Sequence, residues 1–251
     1  MDGRSGGYHA ATYGDRIADV YDSWGGLPAD TDEAVELLAG LAGQGPALEL
    51  GIGTGRVALP LRERGIEVHG IDASERMVER LRAKPGGGAV PVTIGDFAEV
   101  GVGGSFSPVY VVFNTLFALS DQAAQVRCFE RVASRLLPGG SFVVEAFVPD
   151  LTLYERGQRI ATHSLGDDQV HLLATLLDPV EQRVRSQHVV IEEGGTRLYP
   201  VMIRYAWPSE LDLMARLAGL RLRERWAGWD REPFGAASGR HVSVYERDPG
   251  A

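Results

Sequence analysis

The stretch "ALELGIGTGRVALPLRERGIEVHGIDAS", residues 47–74, gathers residue types that bind a ribose-bearing ligand: Gly51, Gly53 and Gly55 at alternate positions, and Asp72, which follows Gly51 by 21 positions. Glycines in a strand-to-helix turn let backbone N–H groups approach a ligand closely. An acidic residue ending the next strand can hold a ribose diol. The dinucleotide fingerprint G-x-G-x-x-G shares the first two glycines and the acid, but it would put its third glycine at Arg56. An NAD-dependent oxidoreductase is therefore the weaker reading, and Glu49, two residues ahead of the first glycine, belongs to a different pattern.

Other chemistry is sparse. His9, His69, His163, His171, His188 and His241 are scattered without ligand spacing, so no metal is expected, and His69, His188 and His241 fall in strand-like runs as structural residues. The single cysteine, Cys128, allows no intramolecular disulfide. It sits in a helical pattern that turns Val126, Phe129, Val132 and Leu136 inward, which reads as inert. A net charge of −9 opposes binding to a phosphate backbone, so nucleic acid is not an expected partner. No apolar run approaches the roughly 20 residues of a membrane span, and "MDGRSGGYHA" has no hydrophobic leader, so a cytoplasmic protein is expected.

These residues need a scaffold. "DTDEAVELLAGLAG" reads as a helix capped by Asp30, with Glu33 three residues on. "ALEL", "IEVHGID", "AVPVTIGD", "PVYVVFN" and "SFVVEAFV" read as strands, separated by a helix ending at Gly65, one capped by Ser74 and one closed by "LPGG". Strands alternating with helices imply a parallel sheet covered on both faces. After Pro149, "QVHLLATLL", "QRVRSQHVVIEE" and "TRLYPVMIRYA" read as antiparallel strands; a helix then starts at a capping Ser209, and "LRLRERW" and "HVSVYER" complete the sheet.

The spacing E-x-G-x-G-x-G resembles the first motif of class I S-adenosylmethionine-dependent methyltransferases, and the resemblance continues in order over residues 47–148. "GIDAS" with Met77 resembles the segment whose aspartate holds the ribose hydroxyls. "IGDFAEV" resembles the Asp96–Phe97 pair beside adenine, and "VFNTLFAL" the strand end that faces the sulfonium. "TYGDRIADVYDSW" resembles the entry helix of bacterial deoxyaminosugar N,N-dimethyltransferases and of glycine or sarcosine N-methyltransferases. The resemblance implies a Rossmann-like α/β fold, mostly parallel with the last strand antiparallel, and an antiparallel β lid after strand five. It divides into a helical cap (1–45), a cofactor core (46–148), a substrate lid (149–207) and the rest of the core (208–251).

It also implies S-adenosylmethionine as cofactor, contacted by Tyr13, Tyr21, Trp24, Glu49, Gly51, Ile52, Gly53, Gly55, Asp72, Ala73, Met77, Asp96, Phe97, Phe113 and Asn114. Tyr154, His163, Arg204, Tyr205 and Trp207 are candidates to line the acceptor pocket, and His163, Tyr21 and Asn114 to take part in catalysis. The expected acceptor is a small molecule or modified peptide of secondary metabolism, methylated on an amine or a carboxylate by proximity. The deoxyaminosugar enzymes carry a histidine shortly after the fourth strand, where this chain has Ala118. Asn114 is followed by Thr115 and Leu116, not by the N-P-P-aromatic element of DNA amino-methylating enzymes. A catalytically silent partner that keeps the fold is the competing class, and the intact "ELGIGTG" loop argues against it. Oligomeric state is not legible.

Overall fold

The computed structural model describes residues 8–23, 30–43 and 45–247. Trp24 lies outside them. A short helix α1 (Thr12–Ile17) and helix α2 (Thr31–Ala42) precede the sheet. There follow β1 (Ala47–Leu50), α3 (Ala58–Glu63), β2 (Val68–Asp72), α4 (Glu75–Ala83), β3 (Val92–Ile94), β4 (Val109–Val111), α5 (Gln122–Arg135) and β5 (Ser141–Phe147). Four strands, β6 (Gln158–Leu165), β7 (Gln169–Asp178), β8 (Arg183–Glu192) and β9 (Gly195–Arg204), come before α6 (Pro208–Leu217), β10 (Leu220–Trp226) and β11 (Arg240–Arg247).

The main sheet runs β10-β11-β5-β4-β1-β2-β3, with β11 antiparallel to both of its neighbours and the other pairings parallel. Alternation along buried strands sends side chains to two layers. Leu48, Leu50, Val109, Val111, Phe142 and Val144 meet Cys128, Phe129 and Val132 of α5 and Leu211 and Met214 of α6. Ala47, Tyr110 and Val143 face Val35 and Leu38 of α2 and Leu61 of α3 on the other side. Cys128 is buried in the first layer, and burial pushes its thiol well above its ordinary value, as an inert residue requires. The strand order reverses between β1 and β4, and ligands of open α/β sheets bind at the carboxyl ends beside such a reversal.

The remaining strands form a separate antiparallel sheet, β6-β7-β8-β9. It has four strands where the sequence suggests three, because β6 ("QRIATHSL") is an edge strand that is mostly exposed and lacks a clean apolar alternation. Register puts three rows on one face: Leu173–His188–Tyr199, then Thr175–Ser186–Val201, then Leu177–Val184–Ile203. Tyr199 of the first row packs with Ile17 of α1 and Met77 of α4, and the third row joins the main core, so this face looks inward.

Two helix starts differ from expectation. Asp30 stands at the N-cap of α2 but does not cap with its side chain, which turns to Arg240 at 2.5 Å. The cap of α6 is Trp207, with Pro208 at the first helical position; Ser209 stands two residues past the cap, since proline's missing N–H suits that first position.

Candidate cofactor and acceptor site

The loop after β1 is shaped by left-handed glycines: Gly51 at φ +70°, Gly53 at +55° and Gly55 at +80°. Side chains at two of them would collide with packed neighbours, Thr115 Cγ2 at Gly51 and Leu81 Cδ1 at Gly55. Gly53 differs. A Cβ there would meet nothing nearer than a backbone oxygen at 4.0 Å, so its face is open to a ligand. Ile52 is buried against Gly70. The Gly53 N–H donates to Asp72 Oδ2 at 2.7 Å and the Ser74 N–H to Oδ1 at 2.8 Å, which fixes the carboxylate at the end of β2. Burial raises the Asp72 carboxyl, while backbone donors from Ser74, Gly53 and Ala73 oppose that rise.

Glu49 lies beneath the loop, 3 % exposed, accepting from Tyr110 Oη at 3.0 Å and from the Ala58 N–H at the start of α3. Burial pushes its carboxyl up to about 8. The structure therefore shows Glu49 as a support of the loop from below.

The segment 12–23 closes over the loop through three aspartates. Asp15 accepts from Ser74 Oγ at 2.6 Å, Asp19 pairs with Arg76 at 2.6 Å and with Arg80, and Asp22 accepts from Thr54 Oγ1 at 2.7 Å and meets Lys84 Nζ at 2.8 Å. Lys84, the only lysine in the chain, also donates to the Thr54 carbonyl at 2.9 Å, so it joins cap to loop. Gly14 makes this docking possible, since a Cβ there would stand 2.6 Å from Ser74 Cβ. Tyr13 and Tyr21 pack against the cluster that holds Met77. Burial raises the Tyr21 phenol, Arg56 draws it down, and Glu49, Asp22 and Asp72 push it further up.

At the end of β4, Phe113 (φ +53°) and Asn114 (φ +66°) are consecutive left-handed residues without the freedom of glycine. Each such residue costs of order 1–3 kcal/mol and persists only where its surroundings over-determine it. Glu145 of β5 supplies that restraint, accepting the Phe113 N–H at Oε2 (2.8 Å) and the Asn114 N–H at its carbonyl (3.2 Å). Asn114 Oδ1 in turn accepts the Phe147 N–H at 2.7 Å. The outcome is a Phe113 ring 37 % exposed at the sheet edge, with the Arg56 guanidinium 5.8 Å from its centroid. Asp96 is exposed and caps a turn through the Ala98 N–H at 2.8 Å, while Phe97 is buried near Gly51.

The acceptor candidates divide. Arg204 cannot line a pocket: it is buried and engaged with Gln125 (2.6 Å), Gln182 (2.8 Å) and Glu210 (2.6 Å). Tyr205 is 2 % exposed in the main core, and Trp207 stacks edge-on against it as the cap of α6. These three residues anchor the four-stranded sheet to the main core because they follow the last row of β9, where the chain re-enters the core. Tyr154 is half-buried before β6, and burial raises its phenol. His163 belongs to a cluster that scattered sequence positions do not reveal. Its ring lies 4.4 Å from His171 and 6.0 Å from His188, and His171 Nε2 is 3.0 Å from His188 Nδ1. Among the described residues no group of three or more histidine, cysteine or acidic side chains is arranged to hold a metal. His69 hydrogen-bonds Glu67 and His241 hydrogen-bonds Ser243, both within strands.

A glycine cradle at the strand-order reversal, an acid ending the second strand and an antiparallel terminal strand together define a class I methyltransferase. Residues 47–140 match the family model described as a methyltransferase domain. The chain superposes on the CcbJ methyltransferase of Streptomyces caelestis with a TM-score of 0.91 at 46 % identity, covering 96 % of this chain and 99 % of that one. It is 29 % identical over 203 residues to the cypemycin N-terminal methyltransferase of a Streptomyces species, covering 80 % of this chain and 82 % of that protein. The sugar N-methyltransferase KedS8 of Streptoalloteichus shares the fold, with a TM-score of 0.69 at 17 % identity over 99 % of both chains. The chain belongs to the S-adenosylmethionine-dependent methyltransferases. S-adenosylmethionine is the cofactor, and the residues present fit it: the open face of Gly53 admits a ligand, and the two Asp72 oxygens retain lone pairs beyond their backbone bonds. Among the described residues no helix is long and apolar enough to cross a membrane.

Proposed function

We propose that this chain transfers a methyl group to an amine nitrogen of a small-molecule or peptide-derived natural product. The observation that carries the reading is the β4 terminus, which presents no base: Phe113 is apolar, the Asn114 carboxamide oxygen is engaged by Phe147, and the following turn ends in Ala118. A neutral amine brings its own lone pair, whereas an alcohol needs a group to take its proton during attack. The relatives agree in kind, one being named for an N-terminal methyltransferase and another for a sugar N-methyltransferase. An ionised carboxylate also needs no base and is the second acceptor class.

In this reading Asp72 holds the ribose hydroxyls, the loop over Glu49 receives the amino-acid part of the cofactor, and Asp96 with Phe97 borders adenine. Tyr13 and Tyr21 wall the pocket on the cap side. Bound S-adenosylmethionine supplies the activated methyl and its leaving group. The chain aligns the acceptor and excludes water, which is where positioning gains its effect. The acceptor amine gives up its proton to solvent, and no side chain is required to store it.

The test is transfer from S-adenosylmethionine labelled with ¹³C in the methyl, offered to amino acids, N-terminal peptides and aminosugars, with the product read by NMR. The label belongs on nitrogen. A label on an alcohol oxygen or on carbon overturns the mechanism, and a methyl ester transfers it to the carboxylate class.

A further inference from the structure

A cavity of about 590 Å³ separates α1 from the inner face of the lid. Its floor is the row Arg159–Thr175–Ser186–Val201, in which Thr175 Oγ1 and Ser186 Oγ lie 3.3 Å apart, and its roof includes Tyr8, Thr12 and Arg16. Thr12 and Arg16, four apart, share one side of α1. In a chain of net charge −9, no aspartate or glutamate lines this cavity among the described residues. Neither the Arg16 nor the Arg159 guanidinium makes an ion pair with another described residue. The acid that feels Arg159 is Asp150, which is fully exposed and takes its main hydrogen bonds from Thr152.

We propose that this cavity is an anchoring subsite for a carboxylate of the methyl acceptor, held by the Arg16 and Arg159 guanidinium groups and the Thr175–Ser186 hydroxyl pair. The inference rests on the acceptor being a molecule whose reacting group is elsewhere, as in the amine reading above. Guanidinium groups present planar donor forks matched to a carboxylate, and half-buried Arg159 and exposed Arg16 bring two of them to a cavity that Arg185 also lines and that holds no acid of its own among the described residues. A phosphate is the poorer fit, because phosphate sites commonly draw on backbone N–H nests or helix N-termini, whereas the floor here is strand whose backbone is paired in the sheet. The neighbouring row carries Tyr199, which packs on Met77 and the cap, so the subsite lies two residues along the strand, about 7 Å, from the cofactor side. An acceptor with amine and carboxylate separated by several bonds spans that offset.

The probe is N-acetylglycinate, with N-acetylglycinamide as its neutral counterpart and inorganic phosphate as a competitor. Binding is followed by ligand NMR on protein saturated with S-adenosylhomocysteine. The acid binds and the amide does not, and Arg159→Gln and Arg16→Gln each weaken the acid at least tenfold while Arg159→Lys retains part of the affinity. Melting temperature and S-adenosylhomocysteine binding of each variant stay at wild-type values, which excludes misfolding; Arg159 is on an edge strand that tolerates the change. Equal or absent binding of acid and amide, indifference to both arginine substitutions, or phosphate binding more than tenfold tighter overturns the carboxylate subsite. A methyl found on oxygen in the labelled-transfer experiment sinks the amine reading and leaves this binding result standing.

Discussion

The backbone N–H of Gly53 donates to the Asp72 carboxylate over 2.7 Å, so the second glycine of the loop and the acid ending the second strand are one unit. One oxygen orients the loop while the other is oriented by Ser74. Both oxygens retain lone pairs beyond these bonds, and a Cβ at Gly53 would meet nothing nearer than a backbone oxygen at 4.0 Å.

The three glycines then separate by substitution. Gly55→Ala forces a left-handed alanine into Leu81 and costs about 2–4 kcal/mol in denaturant unfolding, combining backbone strain with overpacking. Gly53→Ala costs only about 1 kcal/mol of stability, since it adds strain without a clash, yet lowers cofactor affinity at least tenfold by filling the ligand's space. Equal losses of stability in the two variants contradict the assignment of Gly53 to the ligand.

Glu49 gives a pH dependence. Its folded carboxyl titrates near 8, well above an unfolded glutamate. Between those values the unfolded chain releases a proton that the native chain keeps, so stability falls as pH rises from about 4.5 towards 8 and levels beyond. Glu49→Gln flattens that slope and leaves the variant more stable than wild type at pH 8, by an order of a few kcal/mol at most. Chemical unfolding at pH 5, 6.5 and 8 checks it, and an unchanged slope refutes the buried neutral carboxyl.

Much of this was legible in the sequence because local rules and ligand chemistry coincide there. Alternate glycines need left-handed backbone, Asp72 ends a strand, and Ser74 caps α4 by accepting from the Met77 N–H. The histidine cluster was not legible, since His163, His171 and His188 meet only through the register of three antiparallel strands and a bulge between Thr162 and Ser164. Lys84 carries no local signal in the sequence, and only the folded cap reveals its partner Asp22. Arg204 and Tyr205 misled because a lid anchor and a pocket wall have the same residue types. The Phe113–Asn114 strain carries no local signal at all, depending on Glu145 from another strand.

The histidine cluster is not the catalytic base in this account. Burial pulls the His188 imidazole down to about 4, and His171 is lowered by the same cause, so neither is matched to proton transfer near neutrality. His163→Ala, His171→Ala or His188→Gln lowers the single-turnover rate by well under 100-fold, where loss of a general base costs about 10²–10⁴-fold. Because the folded His188 titrates below an unfolded histidine, its contribution is complete above about pH 6.5 and is lost as pH falls towards 4; His188→Gln removes that part of the acid slope.

The cap is held by half-exposed ion pairs, which solvent screens. Asp22→Ala and Lys84→Ala therefore change stability by under about 1 kcal/mol but release the cap from the loop. Stopped-flow release of S-adenosylhomocysteine accelerates several-fold in both variants, and added salt narrows the difference from wild type. Identical release rates contradict a cap that closes over the cofactor.

The most direct measurement is calorimetric titration of wild type and Asp72→Ala with S-adenosylhomocysteine, with NAD as the control ligand. One site per chain is predicted for wild type, no heat with NAD, and affinity at least tenfold weaker for Asp72→Ala with its unfolding still cooperative, since a hydrogen bond to a charged group is worth about 1.5–3 kcal/mol. Unchanged affinity in Asp72→Ala, or binding of NAD in place of S-adenosylhomocysteine, contradicts the account.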